Sequence, residues 1–367
     1  MIAVFAYDFP HRKTADFLKE LAGLGVKDAV VIAAPKQALP DTDRRSYWAK
    51  TLRVAPALET QLICDNLGYK YVRMAHAETD KIVPLLQSEQ CKLGIVAGAR
   101  ILKRPLIEAL SDGIVNFHPG KIPETSGLDA FFYTIKNRVD AGVTTHFIDA
   151  RVDAGDFVAF HPITYGASDT PESVSEAVYQ TQITALRAFW EKYAAGTLQR
   201  EAIDRPFKNE PMTPFEKLDC LAVFSDWLLE RVYQQSTLRL FEACREGNAH
   251  AVLSELCRFP ENIEKRTPEG WTPLIVALHA NQKDIALALL QDGANPNSCG
   301  ANGTTPLMYA KTPLMGEKDP DTSILEALLD HGADIERCDR FGKNIFDYIS
   351  NETTLQTFFN AQLRKEG

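Results

Sequence analysis

Gly270-Trp271-Thr272-Pro273-Leu274 recurs 33 residues later as Gly303-Thr304-Thr305-Pro306-Leu307, and no other feature narrows the possible folds so sharply. Gln291-Asp292-Gly293-Ala294-Asn295 recurs likewise as Asp330-His331-Gly332-Ala333-Asp334, at a spacing of 39. The difference, 39 against 33, places an insertion of six residues around Met315 to Thr322. A unit of this length cannot bury its apolar side alone, so copies must stack and share one continuous core. Leu287, Leu289, Leu290, Leu325, Leu328 and Leu329 are the residues expected to stack. Leu238 to Lys265 reads as an opening copy without Thr-Pro-Leu, and Phe341-Gly342-Lys343-Asn344 opens a degenerate closing one. Atypical end copies are expected because they face water on one side.

Ahead of the repeats the pattern is different. Ile2 to Tyr7 and Ala29 to Ala34 are continuous apolar runs, as in strands buried on both faces. Tyr69 to Met74 and Leu93 to Ala97 continue the series, with helical spacing between them at Thr14 to Leu24, Ala57 to Leu67 and around Ile82 to Leu86. Strands alternating with helices predict a parallel, doubly wound α/β sheet. Leu128 to Ile135 reads as a helix, Gly142 to Asp149 and Phe157 to Ile163 as strands, and Thr170-Pro171-Glu172 as a capped helix start. Leu218 to Tyr233 is expected to be helical. The expected divisions are 1–200, a linking or dimerisation segment at 201–234, and a repeat region at 235–367.

A net charge of -9 argues against a broad nucleic-acid surface. The seven cysteines include no CxxC pair, so neither a disulfide framework nor a zinc site is expected, and free thiols fit a reducing cytoplasm. Met1 to Asp8 is too short an apolar run for a signal peptide, and no stretch is apolar for long enough to span a bilayer. The expectation is a cytoplasmic protein.

The candidate chemistry lies in Val115-Asn116-Phe117-His118-Pro119-Gly120 and Arg151-Val152-Asp153-Ala154-Gly155-Asp156. Asn116 and His118 are two apart, so on a strand they share a face at the strand's mouth, where α/β enzymes place their chemistry. An amide, an imidazole and a carboxylate can together hold an oxyanion and move a proton. Taken singly, each has a plain account: Asn116 a turn former, His118 a satisfied core histidine, Asp153 a turn residue. Phe9 to Thr14 places His11, Arg12 and Lys13 ahead of a helix N-terminus, which suits a phosphate and equally suits a solvated loop. Pro40 to Trp48 ends in aromatics that suit nucleobase stacking, although a surface loop with a packed Trp is the plainer account. His146 is expected on the opposite strand face from Thr145, supporting the site from beside it.

Asn-Phe-His-Pro-Gly, Ile122-Pro123, Gly127, Ala141-Gly142-Val143-Thr144 and Val152-Asp153-Ala154-Gly155-Asp156, in that order, resemble the N10-formyltetrahydrofolate-dependent formyltransferases over about the first 200 residues. The Thr-Pro-Leu repeats resemble ankyrin repeats. The first resemblance implies a Rossmann-like fold with Asn116, His118 and Asp153 as catalytic residues. It implies a pterin site along the backbone of Gly98, Ala99, Arg100, Ile101 and Leu102, with Asp149 and Val152. It places a substrate phosphate near His11, Arg12 and Lys13, with Gly127 on the substrate side.

The implied reaction is formyl transfer from N10-formyltetrahydrofolate to a primary amine, with no metal. Asn116 would donate to the formyl oxyanion, His118 would donate likewise or take the amine's proton, and Asp153 would favour protonated His118. The acidic balance disfavours a tRNA acceptor, and glycinamide ribonucleotide belongs to shorter relatives. A nucleotide-linked amino sugar remains, with a dTDP-linked 3- or 4-amino-dideoxyhexose for a surface polysaccharide preferred over GDP- or UDP-linked rivals. The rival readings are a folate-linked hydrolase on the same fold and a non-catalytic ankyrin scaffold. The repeats are expected either to bind a protein or other ligand or to brace the chain, and a homodimer is expected.

Overall fold

The computed structural model describes residues 1–36, 58–99, 101–150, 155–203 and 209–366. The chain divides into two compact units, Met1–Arg231 and Val232–Gly367.

The first unit is built on a sheet of eight strands among the described residues, in the order β3-β2-β1-β4-β5-β6-β7-β8. Strands β1 (Ile2–Tyr7) and β2 (Ala29–Ala34) occupy the two longest apolar runs, and nearly every residue in them is buried. β3 (Lys70–Arg73), β4 (Leu93–Val96) and β5 (Gly113–His118) extend the parallel half. The sheet is not parallel throughout: β6 (Gly142–Ile148), β7 (Gly155–Pro162) and β8 (Glu201–Ala202) pair antiparallel. Between β6 and β7 the reason is connection length. Ile148 pairs directly with Gly155, and so short a link joins only antiparallel neighbours.

Helices cover both faces. Odd-numbered β5 residues meet α1 (Arg12–Gly23) and α6 (Pro171–Ala194): the Phe117 ring packs edge-on against Phe17 at 5.4 Å and Phe189 at 6.0 Å. Even-numbered residues face the other side. There Ile114 joins Ala3, Phe5, Val30 and Ile32 in a core closed by Ile82 and Leu86 of α3 (Thr79–Ser88) and Leu106 of α4 (Arg104–Glu108). The sheet reverses direction of travel between β1 and β4, so their C-terminal ends open a crevice beside β5.

The stretch expected as one helix from Leu218 to Tyr233 is two, α7 (Pro214–Ala222) and α8 (Phe224–Glu246). Thr213 caps α7 through the Glu216 N–H at 3.3 Å, with Pro214 at the first helical position. In the first unit, buried Trp227 donates its indole N–H to the Val139 carbonyl at 3.1 Å.

The second unit is a stack of short helix pairs whose core draws on Leu240, Leu274, Leu289, Leu307, Leu328 and Ile345. The repeated Thr-Pro-Leu has one local meaning. Thr272 and Thr305 are N-caps accepting from the amides of Ile275 and Met308, and the Pro at N1 has no N–H to leave unpaired. Asn344 takes the same part before the closing helix Ile345–Tyr348.

Phe117 is wholly buried beneath the candidate site. Phe117→Ala is expected to cost about 3–5 kcal/mol of stability. Urea unfolding of the full chain checks this, and a loss below about 1 kcal/mol would mean that the aromatic floor can collapse around the gap.

Candidate active site

Asn116 and His118 follow Ile114 on one face of β5 and pass from the apolar core to the strand's mouth. Asn116 is half-buried, and His118 is 5% exposed. Antiparallel pairing sets His146 opposite Asn116 and Thr144 opposite His118, so four polar side chains share one face on two alternate rungs. The Asn116 carboxamide Nδ2 lies 3.3 Å from His146 Nε2. The expectation that His146 stands beside the site is met by this contact.

His118 is held from the other direction. Its Nε2 lies 2.9 Å from the Thr125 carbonyl oxygen. A carbonyl only accepts, so Nε2 carries a proton, and His118 gains or loses its second proton at Nδ1. The loop after β5 turns back to make this contact because Thr144 ties it down. Thr144 Oγ1 donates to the Gly120 carbonyl at 2.6 Å and accepts from the Ile122 N–H at 3.1 Å. Gly120 is required at this turn: a Cβ there would sit 2.1 Å from Thr125 Oγ1. Thr125 and its carbonyl were not legible as site residues, since a backbone contact leaves no side-chain signal. Thr144, two residues before His146 on a strand, carried a period-two signal that could have been used.

The three basic residues expected at a phosphate do not form one cationic cluster. His11 is the N-cap of α1: its Nδ1 accepts from the Thr14 N–H at 3.3 Å, and its ring stands edge-on to Tyr7 at 4.9 Å. Burial, and secondarily Lys13, push its pKa down to about 4, so it is neutral near pH 7. Arg12 forms a fork with Glu176, Nη1 to Oε2 at 2.7 Å and Nη2 to Oε1 at 2.5 Å, and lies over the Tyr179 ring at 3.8 Å. Its charge is therefore matched within the fold. Lys13 reaches β5, its Nζ donating to the Phe117 carbonyl at 3.2 Å, between the two candidate catalytic residues in sequence.

The expected pterin segment is divided. Gly98 lies at the crevice between β1 and β4, where a Cβ would come within 2.9 Å of the Tyr7 ring and 3.1 Å of His11 Nδ1. Ala99 is half-buried and Ile101 is 72% exposed. The Leu102 side chain instead belongs to the core with Leu106 and Ile114, so only its backbone remains available to a ligand. Asp149 is half-buried just past β6. Because β6 runs against β5, Asp149 lies beyond the Val115–Phe147 rung, away from the His118–Thr144 rung. Gly127 adopts φ +96° and bridges Asn209, whose side chain donates to the Ser126 carbonyl at 3.0 Å. That is a backbone crossing rather than a side-chain site. Arg100, Val152, Asp153 and the Pro40 to Trp48 loop lie outside the described residues.

Residues 21–188 match the family described as formyl transferase, and residues 240–339 match the family described as ankyrin repeats in three copies. Over 103 residues the chain is 28% identical to the phosphoribosylglycinamide formyltransferase of Bacillus subtilis, covering 28% of this chain and 53% of that protein. It is 25% identical over 185 residues to the methionyl-tRNA formyltransferase of Desulfotalea psychrophila, covering 49% of this chain and 56% of that protein. The chain thus spans about half the length of these relatives. A solved sugar N-formyltransferase from a Shewanella species aligns with 60% of this chain and 86% of its own, at 17% identity and a TM-score of 0.42. Residues 21–188 are thus similar to formyl transferases, and residues 240–339 to ankyrin repeats.

Two outcomes follow from the site's geometry. Gly120→Ala is expected to destabilise the fold by about 1–3 kcal/mol through overpacking. Gly23→Ala, where a Cβ meets nothing within 4 Å, serves as the tolerated control in the same denaturation series. Second, His11 has a folded pKa below its ordinary 6.5, so its stabilisation is complete above pH 6.5 and is lost as pH falls towards about 4. His11→Asn keeps a capping oxygen without that titration. Its stability should fall less over this window, by up to about 3 kcal/mol. Parallel acid melts of the two proteins check this, and an equal fall in both would refute it.

Proposed function

We propose that the chain transfers a formyl group from N10-formyltetrahydrofolate to the amine of a nucleotide-linked amino sugar. The acceptor we favour is a dTDP-linked 3-amino- or 4-amino-dideoxyhexose used in O-antigen or lipopolysaccharide synthesis. The observation that carries the reading is the pairing of Asn116 and His118 on one face at the mouth of β5, in a domain of the formyl transferase family.

In this mechanism the acceptor nitrogen attacks the formyl carbon and negative charge collects on the formyl oxygen. Asn116 has a second Nδ2–H beyond the one turned to His146, and it donates that hydrogen to the oxyanion. The C–N10 bond then breaks, N10 takes up a proton, and the acceptor nitrogen gives one up through His118 Nδ1. Asp153 favours the imidazolium that forms when His118 takes this proton, and relays the proton away. The backbone of Gly98, Ala99, Arg100, Ile101 and Leu102, with Asp149 and Val152, would hold the pterin. Lys13 is the member of the basic loop that we assign towards the acceptor's phosphates, since its Nζ reaches the Phe117 carbonyl on β5, between Asn116 and His118.

The acceptor class rests on sequence: Asn-Phe-His-Pro-Gly joined to ankyrin repeats, and a net charge of -9 that does not suit a tRNA partner. We place the enzyme in the cytoplasm as a homodimer. The repeats take a protein or ligand partner, or else brace the chain.

The test is incubation with N10-formyltetrahydrofolate and a panel of dTDP-, UDP- and GDP-linked amino sugars, read by mass spectrometry. The expected result is a gain of one CO unit on one sugar. Asn116→Ala and His118→Ala should each lower kcat by about 10²–10⁴-fold while leaving the fold intact. Free formate without sugar product would indicate the hydrolase, and neither product would indicate the scaffold.

A further inference from the structure

We infer that His146 is a positioning residue that sets which edge of the Asn116 carboxamide serves the reaction; this rests on the formyl-transfer reading above. A carboxamide is nearly symmetric in shape, so packing alone does not choose between its two flipped orientations. A hydrogen bond does choose. With the carboxamide oriented as it is, His146 Nε2, 3.3 Å from Asn116 Nδ2, is the acceptor and the ring's proton is on Nδ1. With Nε2 unprotonated, one Nδ2–H is consumed and the other is fixed in direction. A flipped amide would face a lone pair with its own oxygen, which is repulsive.

Three features of the fold hold His146 to this task. It is wholly buried, so water does not compete for Nε2. It is the direct cross-strand partner of Asn116, which sets the two side chains on the same face at adjacent roots. The β6–β7 ladder also shifts register between Thr145 and His146, where Thr145 pairs with Ala159 but His146 with Phe157. The extra residue, Val158, lies on β7, so β6 stays regular where it carries His146 and the added twist falls on its neighbour. The amide of Asn116 is thus oriented by a histidine that itself touches neither reactant.

The test is a double-mutant cycle with a substrate-free readout. His146→Met removes the acceptor at similar length, whereas His146→Gln restores an acceptor oxygen near the place of Nε2. His146→Met is expected to lower kcat by about ten- to a hundredfold with little change in either KM. His146→Gln should recover most of that loss. In an Asn116→Ala background His146→Met should cost nothing further, because the residue acts only through Asn116. An equal cost in both backgrounds, or no cost in the parent, would overturn the inference.

Asparagine-labelled ¹⁵N NMR of the protein without substrate separates this from the reaction itself. One side-chain amide proton should lie downfield in the parent and in His146→Gln and be displaced in His146→Met. That signature without any turnover would sink the formyl-transfer reading and leave the contact standing. Turnover with no such shift and an additive cycle would sink the inference alone.

Discussion

The antiparallel ladder between β5 and β6 is the constraint on which the site depends. Two alternate rungs, Asn116 with His146 and His118 with Thr144, put these four polar side chains on one face. Were β6 shifted by one residue, Thr145 rather than His146 and Thr144 would share the face of Asn116 and His118. The change from parallel to antiparallel pairing at β5 therefore belongs to the chemistry as much as to the fold. It lets a strand returning from beyond the site brace the strand that carries it.

That ladder is rigid because the opposite face is packed with rings. Phe117 stands edge-on between Phe17 and Phe189, and Phe147 meets Phe189 at 5.9 Å. Arg200 closes the outer side of Phe147, with its guanidinium 3.4 Å from the ring centre. Edge-to-face rings resist sliding as well as separation. A strand held this way keeps its Cβ directions, so short polar side chains on the other face can meet partners at hydrogen-bond distance without long flexible arms.

What was legible in the sequence follows from the range of the forces concerned. β1 and β2 were read to their end residues because burial on both faces leaves an uninterrupted apolar run. The shared face of Asn116 and His118, and the place of His146, followed from the two-residue period of a strand. The partners of the basic loop are not legible for the opposite reason. Arg12 is answered by Glu176, 164 residues away, and no local pattern announces such a partner. His11 is a helix cap, a part more often taken by Ser, Thr, Asp or Asn. Leu102 fell within a segment assigned by resemblance, and only the packed core shows its side chain turned inward.

The repeats show how a change of period is absorbed without breaking the stack. Six extra residues separate the third copy from its regular spacing, and they could have pushed the following helix out of register. They are instead tied at both ends. Leu314, in a short turn at Thr312–Leu314, is buried in the common core. The Gly316 N–H donates to Glu352 of the closing copy at 3.0 Å, and Asp321 pairs with Lys283 of the preceding one. Lys311, 8% exposed, extends beneath the segment with its Nζ 3.2 Å from Met315 Sδ and 5.4 Å from the Tyr348 ring centre. Because stacked repeats depend on nearest neighbours alone, an insertion fixed to the copies on either side costs only its own ordering. The helix Ser323–Asp330 then re-enters the core through Leu325 and Leu328 as if the period had been kept.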